Sequence, residues 1–335
     1  MSTIVSKLFI FLIVFSLSFV DAKTRRRVDA QDYETCIYLA PTGQRFGDRL
    51  LEYVKAKWIS YHTGITLYIR PCKYYENLQI LEKEKVVLSI PKRGVKKVVL
   101  NEIPTFLEKS PNTFYIVGYY PFPSMEMIYE MKQDRAFVGL VRETIRPVDS
   151  IELIKPPKDQ ISVAVHIRKG SGGDNPLKSV QIFDKNKIAM ENTKVKAKDY
   201  ADAFHPLKFA PEQYYIDQIK ALSQYFEHRA LYLYIFTDYK NPKDLLKRIK
   251  QEVGLDNITY HCRESVSQER EVILSDFFSM MEFDCLIRSG ESYFSTMSEL
   301  LSDHKMIIYP KSSHFEKDKE DHFYLIMDNI EMICY

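Results

Sequence analysis

The 335-residue sequence lacks an excess of charge of either sign, because 47 basic and 45 acidic residues leave a formal net charge of +2. Proteins that bind nucleic acid through charge carry a marked basic excess, so this balance argues against that class. A local basic pocket for a phosphate stays compatible with it. Hydrophobic residues make up 45% of the chain and aromatic residues 13%, which is enough for a large core and argues against disorder.

Cysteine is also scarce, and no two cysteines form a Cys-x-x-Cys pair. That absence argues against a zinc site or a thioredoxin-type redox site. The count is odd, so at least one thiol is left unpaired if the chain is exported. We expect the cysteines to behave as small buried hydrophobic residues. They are Cys36, Cys72, Cys262, Cys285 and Cys334.

The N-terminal apolar run at residues 8–20 is shorter than the roughly 20 residues that a spanning helix needs. Lys7 precedes it and the small-residue site at residues 20–22 follows, a pattern typical of a cleaved signal peptide. The basic residues at 23–27 instead resemble the cytoplasmic flank of an uncleaved membrane anchor. We therefore expect residues 1–27 to be a signal peptide or an N-terminal anchor, with a hydrophobic tail unrelated to the fold as the third alternative. The chain would be exported or membrane-anchored, and the side of the membrane stays open.

Residues 28–157 are predicted to form a first α/β domain. Residues 35–40 and 66–69 are predicted strands, and apolar residues at helical spacing from Leu50 to Ile59 predict a helix between them. A strand, a helix and a second strand in this order begin a parallel sheet. Further short apolar runs predict three more strands, at residues 86–90, 98–100 and 114–117.

A polar stretch with two prolines at residues 154–160 predicts a linker, and residues 158–335 then alternate regularly between strand and helix. The strands show little polar alternation, as expected when helices cover both faces, so we predict a doubly wound parallel sheet. A long polar insertion at residues 171–205 is expected to be functional or mobile. The predicted strands lie at 161–167, 231–236, 258–262, 285–287 and 306–309, and the predicted helices at 211–226, 242–253, 272–283 and 293–301.

Ligands of open parallel sheets bind beyond the carboxyl ends of the strands, so we searched for polar residues there. The first strand of the second domain ends in His-Ile-Arg-Lys-Gly, which contains His166, Arg168 and Gly170. A guanidinium group offers a planar fork of donors for phosphate oxygens, and glycines let backbone N–H groups approach an anion. A basic loop without function is an equally good interpretation of this segment alone.

Other polar residues follow the later strands. Asp238 follows the second strand and would meet a ribose or cap a helix. Ser292 begins a helix, where it would hold a phosphate or simply cap. Asp276 lies in an otherwise apolar helix, so its carboxylate needs a partner, which would be an arginine, a lysine or the edge of a guanine.

The segment from Gly43 to Arg49 joins the first strand to the first helix and contains a Gly-x-x-x-Gly spacing. That spacing is weak evidence by itself. The segment is not a P-loop and does not have the Gly-x-Gly-x-x-Gly of dinucleotide-binding proteins. Its two glycines, Gly43 and Gly47, are explained equally well by a tight turn.

Together these segments resemble the fucosyltransferase superfamily, which includes α1,2-fucosyltransferases (glycosyltransferase family 11), α1,6-fucosyltransferases and protein O-fucosyltransferases. The resemblance extends over most of residues 35–315 in scattered motifs. GQRFGDRLLEY resembles the opening glycine segment, with Asp48 in the position of its asparagine, and VAVHIRKG resembles the His-x-Arg-x-Gly-Asp motif. Residues 203–215 are similar to the segment that follows this motif in α1,6 enzymes. Residues 272–295 and 305–309 resemble the donor-binding helix, serine-rich loop and strand.

The resemblance implies a GT-B-like fold of two Rossmann-type domains, an acceptor-side first domain and a second domain that holds GDP-fucose. It implies an inverting transfer of fucose to a glycan or glycoconjugate, without a metal or other cofactor, and no Asp-x-Asp motif lies in a suitable loop. Arg168 would contact the β-phosphate, His166 would lie beside the nucleotide, and Asp276 would read guanine. The other implied donor-binding residues are Gly43, Gly47, Asp48, Gly170, Asp238, Ser292 and Ser295.

The chain departs from the family pattern in two places. Ser171 replaces the last aspartate of the His-x-Arg motif, with Asp174 three residues further on, and both tryptophans of the family-11 serine loop are missing. The linkage and the sugar specificity therefore stay open, and the candidate general bases are Asp174, His205 and Asp48. The alternatives are a transferase that uses another nucleotide sugar and a catalytically silent sugar-binding protein with the same fold.

Overall fold

The computed structural model describes most of the chain between Tyr33 and Cys334. The predicted signal peptide or anchor lies outside the described residues, as do Gly43, Gly170, Asp174 and His205. None of the helices in the described part is long and apolar enough to cross a membrane. The described residues are 33–42, 45–118, 123–169, 180–183, 187–190, 207–265, 269–317 and 323–334.

The first half of the chain contains a five-stranded parallel sheet in the order β3-β2-β1-β5-β4. Four of its strands were predicted at nearly these positions. The prediction at residues 86–90 was wrong, because pairing ends at Val86, and Val87 and Ile90 pack instead on one face of the sheet. The strands are β1 (Cys36–Leu39), β2 (Thr66–Ile69), β3 (Lys85–Val86), β4 (Lys96–Leu100) and β5 (Thr113–Val117).

Helix α1 covers the other face of this sheet and ends at Gly64, which adopts the left-handed conformation with φ of 62°. Two further helices follow the sheet, and each begins with a side-chain cap. Ser124 Oγ accepts from the N–H of Met127, and Asp134 Oδ1 accepts from the N–H of Phe137. The helices are α1 (Phe46–Thr63), α2 (Ile80–Lys83), α3 (Met125–Gln133) and α4 (Arg135–Ile145), with a 3₁₀ turn at Tyr75–Asn77.

The second half contains an eight-stranded sheet in the order β10-β9-β6-β11-β12-β13-β8-β7. Its strands are β6 (Ile161–Ile167), β7 (Val180–Phe183), β8 (Lys187–Met190), β9 (Leu231–Thr237), β10 (Ile258–Cys262), β11 (Cys285–Arg288), β12 (Met306–Lys317) and β13 (Phe323–Cys334). Its helices are α5 (Glu212–Tyr225), α6 (Pro242–Val253), α7 (Arg270–Met280) and α8 (Tyr293–Leu301). All five predicted strands and all four predicted helices of this half are present.

The first five strands of this sheet, from β10 to β12, are parallel, as predicted. The strands β13, β8 and β7 were not predicted. The prediction ended the last strand at residue 309, but β12 continues to Lys317 and pairs with the antiparallel β13. Two segments of the polar insertion, β7 and β8, extend the same sheet. These strands pair antiparallel, which breaks the alternation of strand and helix on which the prediction rested, although β13 begins with an apolar run at residues 323–327.

The parallel part of the second sheet reverses its strand order between β6 and β11, because β9 and β10 lie on one side of β6 and β11 and β12 on the other. Such a switch point opens a crevice at the carboxyl ends of the two strands. The architecture is therefore α/β with two Rossmann-type units, as predicted. The domain boundary at residue 157 lies within the connection between β5 and β6, and its position stays a prediction.

The two halves share a core. Phe277 of α7 and Met297 and Leu300 of α8 belong to the same buried cluster as Phe46 and Leu50 of α1. Helices α7 and α8 therefore pack against both halves and hold the first half over the crevice of the second sheet.

Candidate active site

His166 lies near the carboxyl end of β6, directly beside Arg288 of the neighbouring β11. Its ring is buried, and Nδ1 lies 3.0 Å from Ser295 Oγ. Ser295 Oγ donates to the carbonyl of Ser292 at 3.2 Å, which leaves its oxygen free to accept Nδ1–H. Burial lowers the pKa of His166 to about 4, and the neighbouring arginines oppose its protonation further, whereas Asp238 favours it. The imidazole is therefore neutral at pH 7.

Arg168 follows the end of β6 and lies close enough to His166 for its charge to lower the imidazole pKa. The carbon of its guanidinium group lies 5.9 Å from the centre of the Phe209 ring. The structure thus places Arg168 at the switch point of the second sheet, which is where a ligand of this fold class binds.

Asp238 follows β9 and fixes the loop that carries Arg168. Its Oδ1 accepts the backbone N–H of Lys169 at 2.7 Å, and its Oδ2 lies 3.7 Å from Arg45 Nη1 of the first half. The ammonium group of Lys169 lies 2.9 Å from Glu212 at the start of α5. The N-cap residue of helix α6 is Asn241 and not Asp238, so the capping interpretation of this aspartate was wrong.

The loop from β11 to α8 presents polar groups to the same crevice. Ser292 occupies the N-cap position of α8, but its hydroxyl makes no capping hydrogen bond. The buried hydroxyl oxygen of Ser292 has no hydrogen-bond partner among the described residues, whereas the hydroxyl of Ser289 lies beside that of Tyr215. Buried hydroxyl groups normally have a partner, and the start of a helix attracts anions, so this arrangement suits a phosphate.

Gly47 explains why the first half reaches this crevice. A Cβ atom at this position would lie 2.5 Å from the backbone nitrogen of Phe294, so only glycine allows the starts of α1 and α8 to touch. The ring of Phe46 lies 5.1 Å from that of Phe277 and 6.2 Å from that of Phe294. Asp48 Oδ2 accepts the backbone N–H of Arg45 at 3.2 Å, a helix-capping contact that favours a structural role over the donor-binding and catalytic ones.

Asp276 of α7 forms an ion pair with Arg263, whose Nε lies 2.5 Å from its Oδ1. The same guanidinium donates to Ser275 Oγ at 2.9 Å. Burial raises the pKa of Asp276 to about 6, although Arg263 favours the charged form. The partner that this carboxylate was expected to need is thus an arginine, and the reading of guanine stays a prediction.

The residues predicted from the sequence did not include a second group of charged side chains around the crevice. Arg288 and Glu299 form a completely buried ion pair at 2.6 Å, and Glu212 and Arg45 hold the loops that follow β6 and β9. Two features of the sequence could have indicated this ion pair. Arg288 ends an apolar strand, and Glu299 lies inside the mostly apolar segment 297–301. Within the described residues, no group of three or more His, Cys, Asp or Glu side chains could hold a metal ion.

The cysteines only partly match the expectation of buried hydrophobic residues. All five are free thiols. Cys36 and Cys285 are buried, Cys72 and Cys262 are half-buried, and Cys334 is exposed.

No protein-family model and no curated protein matches this chain. Solved structures do match it. A mutant of Arabidopsis thaliana FUT1 in complex with GDP superposes with a TM-score of 0.50 at 11% identity, over 89% of this chain and 76% of that chain. The fold of this protein is therefore the two-domain GT-B fold of fucosyltransferases.

Two other solved fucosyltransferases are similar at lower TM-scores. The NodZ α1,6-fucosyltransferase soaked with GDP-fucose matches with a TM-score of 0.43 at 14% identity, over 89% of this chain and 98% of that chain. POFUT1 in complex with GDP-fucose matches with a TM-score of 0.41 at 12% identity, over 83% and 96%. Membership of the α1,2-type subfamily stays a prediction.

Proposed function

We propose that this protein is a glycosyltransferase that moves fucose from GDP-fucose to a glycan or glycoconjugate with inversion and without a metal. The observation that carries the proposal is the meeting of Arg168, neutral His166 and the unpartnered hydroxyl of Ser292 at the switch point of the second sheet. The similarity to a fucosyltransferase complexed with GDP supports a guanosine diphosphate donor.

Arg168 carries the chemical part of the proposal. When the glycosidic bond to the donor breaks, negative charge gathers on the departing diphosphate. A guanidinium group can offer two parallel N–H donors to its oxygens, in the place that a metal ion takes in other transferases. Donors fixed before the reaction stabilise this charge most effectively, and the contact between Asp238 and the N–H of Lys169 fixes the loop.

The serine loop and the start of α8 would bind the same diphosphate. The hydroxyls of Ser289 and Ser292 can each donate one hydrogen bond, and the first backbone N–H groups of the helix point in the same direction. Neutral His166 keeps Ser295 in place without adding a charge that would bind the product too tightly.

The location of the protein is part of the proposal and rests on sequence alone. We propose export or membrane anchoring through residues 1–27, which bear the pattern of a signal peptide or an anchor.

A panel of nucleotide sugars tests the donor. We expect nucleotide release from GDP-fucose, and a higher melting temperature with GDP but not with UDP, because a ligand at about 100 times its dissociation constant adds about 2.7 kcal/mol of stability. In Arg168→Lys, turnover should fall by about two orders of magnitude, a loss of about 3 kcal/mol, since lysine keeps the charge but loses the fork.

The control is Arg142→Lys, since Arg142 forms an exposed ion pair with Asp303 away from the crevice. It should turn over as the wild type does. Near-normal turnover in Arg168→Lys would remove the assigned role of that residue. Release of a different nucleotide would favour another donor, and neither release nor a GDP-dependent shift would favour a silent sugar-binding protein.

A further inference from the structure

The side chains of Arg288 and Glu299 are completely buried between β11 and α8. Nε and Nη2 of the arginine lie 2.7 and 2.6 Å from the same carboxylate oxygen of Glu299. The guanidinium carbon lies 4.1 Å from the centre of the Tyr309 ring. A buried pair of this kind pays a large desolvation cost, and well-packed apolar residues often replace such pairs without loss of stability. The pair therefore calls for an explanation other than stability.

The remaining nitrogen of Arg288 supplies that explanation. Nη1 donates to the carbonyl oxygens of Ser289 at 2.9 Å and Gly290 at 3.1 Å. These two residues begin the loop that carries the unpartnered hydroxyl of Ser292. The guanidinium therefore bridges α8, through Glu299, to the backbone of the serine loop.

The other side of the loop packs closely against β12. A Cβ atom on Gly290 would lie 2.5 Å from the carbonyl oxygen of Pro310 in β12. The hydroxyl of Tyr214 in α5 donates to the carbonyl of Arg288 itself at 2.9 Å. The loop is thus held from inside by Arg288 and from outside by β12.

We propose that Arg288 is a positioning residue that shapes the phosphate-binding loop of residues 289–292 through its two carbonyl contacts, with Glu299 holding the guanidinium in place. This inference rests on the proposed function, because it assigns the loop to the diphosphate of the donor. Arg288 is completely buried and donates to the backbone of Ser289 and Gly290, so it acts on a bound phosphate through the shape of the loop and not by direct contact.

The test compares two ligands in the full-length protein. In the double variant Arg288→Met with Glu299→Leu, we expect the melting temperature to stay near that of the wild type. The affinity for GDP should fall by about tenfold or more, and that for guanosine, which lacks the phosphates, by less than about twofold. Arg288→Lys gives the same comparison with the buried charge retained, in case the double variant folds poorly.

The matched control removes an exposed ion pair just beyond the C-terminal end of α8. Arg142→Met with Asp303→Leu takes away an exposed pair at 2.7 Å and should leave both affinities unchanged. Equal affinity for GDP in the Arg288 variants and the wild type would overturn the positioning role and leave the proposed function standing. A parallel loss of GDP and guanosine affinity would also overturn it, since that pattern indicates general damage. A wild-type protein that binds neither ligand would overturn the proposed function and this inference with it.

Discussion

His166 and His304 are two imidazoles that the fold keeps out of water. Nδ1 of His304 donates to the carbonyl of Phe283 at 2.7 Å, and burial lowers the pKa of this histidine to about 4. The unfolded chain would bind a proton near pH 6.5, whereas the folded protein would bind it only near pH 4. Each histidine therefore adds stability above pH 6.5 that is lost as the pH falls towards 4. Asp276 acts in the opposite direction, since its pKa is raised to about 6.

We predict that His304→Asn loses less stability on acidification than the wild type does. Asparagine keeps a donor near Nδ1 but does not titrate, so the difference between pH 7 and pH 4 should shrink by up to about 3 kcal/mol. Chemical denaturation at a series of pH values measures this slope. An unchanged slope in His304→Asn would show that this imidazole binds its proton equally well in the folded and the unfolded protein.

At the scale of elements, the contact between the starts of α1 and α8 decides whether the two halves meet at the crevice. Gly47 lies against the backbone of Phe294, and backbone cannot move aside as a flexible side chain can. The Gly-x-x-x-Gly spacing was weak evidence in the sequence. Its second glycine, Gly47, is explained by close packing against α8 and not by a tight turn.

Gly47→Ala should therefore force the two helices apart. We expect a loss of about 1–3 kcal/mol in the free energy of unfolding, as for other overpacked contacts, together with weaker GDP binding. Gly139→Ala in α4 is the matched control. Nothing lies within 4 Å of its added Cβ, so it should be neutral or stabilise by up to about 1 kcal/mol. Thermal melting and calorimetric titration measure both effects, and equal stability of the two variants would exclude the close contact.

At the scale of the whole molecule, the two sheets are not independent units. The buried cluster around α1 includes Phe277 and Met297, which follow the second sheet's strands in sequence. Lys132 of α3 donates to the carbonyl of Glu299 in α8 at 2.5 Å, and Arg270 of α7 binds Glu76 of the first half at 3.1 Å. Separation of the halves would therefore expose apolar surface and break buried polar contacts.

We predict one cooperative unfolding transition for the whole chain. Trp58, the only tryptophan of the chain, is buried in the first half against Phe137, so its fluorescence reports that half. Its unfolding midpoint should coincide with the midpoint from far-ultraviolet circular dichroism, which reports both halves. Two separated midpoints would mean that the halves unfold independently.

Local patterns were sufficient to predict most of the elements. The five parallel strands of the second half were predicted, since apolar runs of 3–7 residues bounded by helix signals leave few alternatives. The hairpin of β12 and β13 was missed although β13 begins with the apolar run at residues 323–327, because the prediction followed the alternation of strand and helix, which the hairpin breaks. The helices α3 and α4 were missed as well, although the buried residues of α4 from Phe137 to Ile145 recur at helical spacing.

The sequence by itself determined the α/β class and the parallel core of the second sheet, because these follow from hydrophobic spacing and from the order of strands, and it predicted His166 and Arg168 as candidate site residues at the end of β6. Only the tertiary structure decided the partners of the charged groups. Arg263 pairs with Asp276, Asp238 binds the backbone of Lys169, and Arg288 pairs with Glu299. The strength and role of a charge depend on distances across the fold and on the exclusion of water. The local order of residues determines neither of these.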